Sequence, residues 1–253
     1  MGGAFSGIPE ADVEVPAPVL REAAGRAVRA VWLNEVDGLT FQVGAGAGRE
    51  FIKWLPGHDG SEFAAEARRL EWARAYTPVP RALGYGVERH GAWLRTAGLA
   101  GESAVSPRWV ADPRSAVTAI GRGLRALHDA LPVRDCPFSW SVASRLAAAP
   151  TAGRVTPAQA RAMLDRAPPV DTLVVCHGDP CAPNTLIDDA GQWSGHVDLG
   201  ALGVADRWAD LAVATWSTQW NYGPGWEDTL LDAYGIAPDP DRIAYYRQVW
   251  DVT

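Results

Sequence analysis

The 253-residue chain changes its hydrophobic rhythm partway along. In the first hundred residues, short apolar or alternating runs recur at 30–33, 39–43, 50–55, 82–88 and 92–95. That is the period-two signature of strands. Gly44-Ala45-Gly46-Ala47-Gly48 separates the second run from the third, as a hairpin connection does. Between 61 and 76 the period lengthens. Phe63, Ala67, Leu70 and Ala73 fall on one helical face behind a Ser61 cap, and Pro78 and Pro80 end the helix. An Ala- and Arg-rich stretch predicts a lead-in helix over 18–31. Gly98 to Gly101 reads as a connector.

After Gly101 the helical period dominates. Val117, Ile120, Leu124 and Leu127 line one face of a helix over 113–130, and further helices are predicted over 156–166, 208–220, 226–234 and 239–249. Short strands are predicted at 171–175 and at 186–188, the latter paired with 195–198. Residues 148–157 read as a loop. The sum is an α+β protein with a small, mainly β N-lobe (residues 1–97) and a larger, mainly α C-lobe (residues 98–253). No internal repeat is present.

Composition narrows the function. Hydrophobic residues make up 47% and charged residues 21%, which excludes disorder as the main state. No window offers the roughly 18 uncharged apolar residues of a membrane span. The net charge of −7 disfavours a nucleic-acid partner and favours a cationic one. Three cysteines without a CxxC pair give neither a disulfide framework nor a zinc ribbon. With no basic, apolar leader in view, the cytoplasm is the expected compartment. The 23 basic residues comprise 22 arginines and one lysine, Lys53, which marks a place where a compact ammonium replaces a planar fork.

The stretch from His177 to Gly200 carries the chemistry. Asp179 and Asn184 are spaced as in the kinase pattern H-x-D-x-x-x-x-N, and Asp198-Leu199-Gly200 stands where that pattern has D-F-G. An Asp at a strand end can take the proton of an attacking hydroxyl. An Asn one loop later and an Asp after the next hairpin can hold Mg²⁺ on nucleotide phosphates. Lys53 lies on a strand after a hairpin, where kinases keep the lysine that grips the α- and β-phosphates. Glu66, one turn deeper than Glu62, is its expected partner. Gly44 to Gly48 is not a phosphate cradle, because strand follows strand there. A loop over the nucleotide is placed around 34–39 instead. Gly178 occupies the protein-kinase arginine position, and few residues follow Gly200 before a helix expected to open near Ala205-Asp206. Both features point to a small-molecule acceptor. Asp206 is expected to cap that helix and Asp210 to accept bonds from the catalytic loop. A metal-dependent hydrolase built on His177, Asp179, His196 and Asp198 is the reading from another class. It leaves Lys53 without a role.

The blocks HGDPCAPNTLID and HVDLGALGVADRWADLA, with LHDALPVRDCPF and YGIAPDPDRIAYYR, resemble the aminoglycoside phosphotransferases. VVCHGDPC and VDLG look closest to the 3''-type that phosphorylates streptomycin. The resemblance implies a bilobed, protein-kinase-like fold, ATP (or GTP), Mg²⁺ and transfer to a hydroxyl of a cationic antibiotic by a monomer. It assigns Asp179 as base, Lys53 and Glu66 to the phosphates, backbone near Ala97 and Leu99 to the adenine, and Asn184 and Asp198 to the metal. Residues 147–156 hold no Asp or Glu, unlike the acidic loop of the 3'-type that acts on kanamycin and neomycin. That fits a substrate with fewer cations, such as streptomycin with its two guanidiniums. Trp216, Trp220, Trp226, Glu227, Asp228 and Asp251 could meet such groups with indole faces and carboxylates. The 3'-type and other small-molecule kinases share the catalytic motif.

Overall fold

Alternation of side chains decides how the first unit is layered. A computed structural model describes residues 7–9, 13–34, 37–150 and 153–253. The chain divides into two compact units, Met1–Ala75 with Val79–Leu99, and Tyr76–Pro78 with Ala100–Thr253. The first unit holds α1 (Ala17–Ala23), β1 (Val28–Leu33), β2 (Leu39–Val43), β3 (Glu50–Pro56), α2 (Ser61–Ala73), β4 (Ala82–Glu88) and β5 (Gly91–Ala97). Its five strands form an antiparallel sheet in the order β1-β2-β3-β5-β4. Phe41, Val43, Ile52 and Trp54 point to one face and pack with Val19 and Ala23 of α1. Leu55, Ala92 and Leu94 point to the other and pack with Phe63 and Ala67 of α2. Each of the larger aliphatic and phenylalanine side chains among these stabilises the unit by about 1.5–3 kcal/mol when removed from water.

The second unit holds β6 (Glu102–Ser103), α3 (Pro107–Val110), α4 (Pro113–Ala130), α5 (Val142–Ala148), α6 (Pro157–Asp165), β7 (Leu173–Cys176), β8 (Thr185–Ile187), β9 (Trp193–His196), β10 (Gly203–Asp206), α7 (Trp208–Tyr222), α8 (Glu227–Tyr234) and α9 (Pro240–Asp251). Strand β7 pairs with β10, and β8 lies between β6 and β9. Helix α4 begins at the residue its pattern predicts, with Asp112 accepting from the Ser115 N–H. It packs on α8, and α7 packs on α9 and α8. Among the described residues, no helix is long and apolar enough to cross a membrane.

Several expectations are corrected. The lead-in helix stops at Ala23, because Ala24 (φ 51°) and Gly25 (φ 77°) turn left-handed and Val28 enters β1 opposite Val43. Ser61 does not cap α2; Gly60 holds that place, and the Asp59 carboxylate accepts the Ser61 N–H at 2.9 Å. Ala205 and Asp206 end β10 rather than open a helix, which begins at Trp208. Residues 142–148, left without an element above, form α5. The expected 34–39 loop lies partly outside the described residues, at 35 and 36.

Candidate active site

Lys53 alternates with Ile52 and Trp54, so it projects to the α2 face of the sheet, beside its register partner Leu94. On α2, Glu66 falls within the apolar stripe of Phe63, Ala67 and Leu70 and is 5% exposed. A carboxylate in such a stripe needs a counter-charge. Lys53 Nζ supplies it, donating to both carboxylate oxygens at 2.8 and 2.9 Å. Glu62 is exposed on the same helix. At the end of β5, the Ala97 N–H donates to the Arg81 carbonyl and the Gly98 N–H to the Arg49 carbonyl, while the Arg49 guanidinium donates to the Leu99 carbonyl.

In the second unit, residues 177–184 join β7 to β8. Asn184 Nδ2 donates to the Asp179 carbonyl at 3.0 Å and to Asp179 Oδ2 at 3.3 Å. The Val197 N–H donates to the Asn184 carbonyl at 2.9 Å, so the β8–β9 hairpin sets Asn184 one residue from Asp198. Asp198 adopts φ 65°, a left-handed conformation that Asp tolerates better than most residues. Asp179 is half-buried as a residue, but its Oδ1 is buried and accepts no hydrogen bond from the described residues. Burial raises the Asp179 carboxyl above its ordinary value and the charge of Asp198 adds to the rise, with Cys181, His177 and Asn184 opposing. A partly desolvated carboxylate with an unused oxygen, beside a second carboxylate held in strained backbone, is poised to take a proton or a ligand.

The loop is held from beneath by residues whose roles sequence spacing only partly showed. Asp210, fully buried on α7, accepts the N–H groups of His177 (2.6 Å) and Gly178 (2.9 Å), as expected, and also His128 Nε2 (2.9 Å). His128 in turn meets the Tyr234 hydroxyl through Nδ1 at 2.9 Å. The position of His128, four residues after Leu124 on the buried stripe of α4, was a sequence signal for such a partner. Trp140, 1% exposed, donates its indole N–H to the Gly178 carbonyl at 3.2 Å. Asp206 is also buried. It accepts from the Trp208 N–H and pairs with Arg242, whereas Arg207 pairs with Asp171.

The expected acceptor residues are scattered in their commitments. Trp216 and Trp220 stack at 4.9 Å between ring centres, and both adjoin Trp250 at 6.3 and 5.7 Å. Trp220 is 49% exposed, but Arg247 already lies over the Trp216 ring at 5.6 Å. Arg114 approaches Trp226 at 5.9 Å. Glu227 accepts from Gln219 and from the Gly225 N–H. Burial raises its carboxyl, but these bonds, its own backbone N–H and Arg247 bring it below the ordinary value. Asp228 is exposed. Asp251, also exposed, lines a groove of about 300 Å³ with Gln159, Arg166 and Gln248.

A zinc site on the histidines lacks free lone pairs. His177 Nδ1 accepts the Asp179 N–H at 3.3 Å, its Nε2 donates to the Val197 carbonyl at 3.0 Å, and His196 Nδ1 accepts from Trp193 at 3.2 Å. Among the described residues, His128, Cys176 and Asp210 also cluster within 4.8 Å. There the carboxylate is already shared by three donors, and burial pushes the Cys176 thiol well up, away from the thiolate a metal needs.

Comparison with known proteins identifies the family. A family model described as "Phosphotransferase enzyme family" matches residues 33–246. The chain is 36% identical to an aminoglycoside 3'-phosphotransferase of Streptomyces fradiae, over 76% of this chain and 80% of that protein. It is 33% identical to the streptomycin 3''-kinase of Streptomyces griseus, over 78% and 82%. The solved structure of the 3''-type aminoglycoside phosphotransferase of Streptomyces rimosus superposes with a TM-score of 0.71 at 28% identity, covering 92% of this chain and 96% of that one. The same enzyme with ADP and streptomycin gives 0.66 over 85% and 90%. With the match running from β1 to α9 and enclosing the whole catalytic loop, the chain belongs to the phosphotransferase enzyme family and is a kinase of kinase-like α+β fold.

Proposed function

We propose that the chain transfers the γ-phosphoryl group of ATP to a hydroxyl of an aminoglycoside, with streptomycin at the 3''-hydroxyl as the acceptor. The observation that carries the reading is the buried, unpartnered Oδ1 of Asp179 beside Asn184. Asp179 orients the acceptor hydroxyl and takes its proton. Lys53, steadied by Glu66, pairs with the α- and β-phosphates. The Ala97 carbonyl and the Leu99 N–H receive the adenine. The Asn184 amide and the Asp198 carboxylate, with the spare oxygen of Asp179 near, make an oxygen-only donor set that suits Mg²⁺. Bound there, the ion would offset the charge that gathers on the phosphates.

Trp216, Trp220, Glu227, Asp228 and Asp251 are proposed to line the acceptor site. The absence of acid from 147–156 favours streptomycin. The closer identity to the Streptomyces fradiae relative favours the 3'-hydroxyl of a kanamycin-type acceptor as the second reading. Purified protein with ATP and Mg²⁺ should add one phosphoryl mass to streptomycin and not to kanamycin, with the position read by NMR. Modification of kanamycin alone selects the second reading. Modification of neither removes the aminoglycoside assignment.

A further inference from the structure

The glycine-rich turn at 44–48, which serves as a hairpin, is tied to the connector after β5 by one side chain. Arg49 leaves that turn through a single 3₁₀ loop, Gly46–Gly48, and its Nη1 reaches back to the Gly46 carbonyl at 3.2 Å. Its other arm, Nη2, donates to the Leu99 carbonyl. Its own carbonyl accepts the Gly98 N–H at 2.9 Å. The fit is close: a Cβ at Gly98 would lie 2.7 Å from Arg49 Cγ and 2.8 Å from its carbonyl oxygen. Backbone and guanidinium of one residue therefore fix the plane of the peptide that follows Leu99. The rigid fork fixes the direction of both bonds, which a rotating ammonium would not.

This has a consequence for the purine. With the Leu99 carbonyl taken by a cation and the Ala97 N–H by Arg81, the connector offers an acceptor at Ala97 and, two residues on, a donor at Leu99. Adenine presents the complement, an exocyclic N6–H donor beside the N1 acceptor. Guanine presents an O6 acceptor beside an N1–H donor, so in the same position it sets acceptor against acceptor and donor against donor. Guanine could pair only by sliding along, with O6 on the Leu99 N–H and its N1–H on the Leu99 carbonyl. Arg49 holds one lone pair of that carbonyl and fixes the direction in which the oxygen points. We infer that Arg49 is a specificity-determining residue that holds the Leu99 carbonyl away from the base and so makes the enzyme select ATP over GTP. The inference rests on the proposed placement of the nucleotide base at Ala97 and Leu99.

The test compares ATP and GTP as donors for native protein, Arg49→Met, which keeps the stem against Gly98, and Arg49→Gln as a second variant should the first fail to fold. Equilibrium binding of ADP and GDP is measured alongside kcat/KM. The native enzyme should favour ATP. In either folded variant the ATP:GTP ratio should fall about tenfold or more, chiefly through improved use of GTP, since one buried pairing error is worth roughly that factor. A purely structural role would lower both donors together and leave the ratio fixed, and that outcome overturns the inference. So does a native preference for GTP. Native protein that binds neither diphosphate overturns the proposed nucleotide site itself, and the binding arm reveals that without any turnover.

Discussion

The substitution Asp210→Asn changes one atom and tests whether the catalytic loop is shaped by that carboxylate. Asp210 Oδ2 accepts from the His177 N–H and from His128 Nε2, and Oδ1 accepts from the Gly178 N–H. An amide has one oxygen. If it faces His177 and His128, the Gly178 N–H meets an NH₂ group. If it faces Gly178, the His177 N–H is orphaned and His128 must reverse its bonds to the new amide and to Tyr234. Either way a buried backbone donor loses its partner, at about 1–3 kcal/mol, and the bonds that remain lose their charge assistance, about 1 kcal/mol more. The sum, about 2–4 kcal/mol, is a large share of the ~5–15 kcal/mol that holds a typical protein folded. It should lower the melting midpoint by roughly 5–15 °C. Because Asp179 follows Gly178 directly, kcat should also fall at least about tenfold, while the KM for ATP changes little. Denaturant titration by tryptophan fluorescence and steady-state kinetics read the two effects. A variant within about 0.5 kcal/mol of native stability and of native kcat would refute the claim that this carboxylate shapes the loop.

Asp179→Ala should bind nucleotide as the native protein does and lose about 10²–10⁴ in transfer rate, checked by ADP titration and product mass. Lys53→Met removes the ammonium that both oxygens of the buried Glu66 carboxylate accept from, so it should cost about 2 kcal/mol or more. The pair Lys53→Met with Glu66→Leu should recover part of that stability and none of the activity, which thermal melts and assays separate. Gly178→Ala places a Cβ 2.2 Å from the Ala201 carbonyl oxygen at φ 86°, so loss of fold or of kcat by more than about tenfold is expected, read by circular dichroism and kinetics. Burial pushes the Tyr234 phenol up to about 12. The folded chain thus keeps a proton that the unfolded chain releases near about 10, so this contribution is complete below about pH 10 and is lost as pH rises towards about 12. Stability measured across that window should fall less steeply in Tyr234→Phe.

Local periodicity made some of this readable in advance. The stripe Val117, Ile120, Leu124, Leu127 marked α4, and Glu66 was separable from Glu62, four residues earlier on the same face, because it sits one turn deeper. Asp179, Asn184 and Asp198 stand out by spacing, because phosphoryl-transfer chemistry would impose such a spacing on a loop. What escaped was set by partners distant in sequence. Strand β10 exists because Gly203 to Asp206 pair with β7, roughly thirty residues earlier, and so short a run carries no periodic signal of its own. The lead-in helix was overextended because Ala and Arg favour helix locally, while Val28 is claimed by Val43 across the sheet. The commitments of Trp216 and Glu227 to Arg247 and Gln219 were likewise invisible, since composition shows which groups could bind a cation but not which have already done so.

The missing arginine at position 178 has a second meaning once the backbone is seen. Its absence first suggested an enzyme without a phosphorylation switch. Gly178 has φ 86°, and a Cβ there would meet not only the Ala201 carbonyl but also Trp140 Cδ1 at 2.8 Å. No side chain fits, so packing bars an arginine from that position. The same contact explains how the segment after Asp198 stays short. Leu199 to Leu202 close a tight turn, with the Leu202 N–H on the Leu199 carbonyl at 3.1 Å, and Gly203 enters β10 opposite Cys176, with its own Cα against Ser139. The turn thus lies against Gly178 through Ala201 and leads directly into β10, in backbone contacts that a longer insertion would break. If Asp198 holds the metal as proposed, these backbone contacts keep its carboxylate in place.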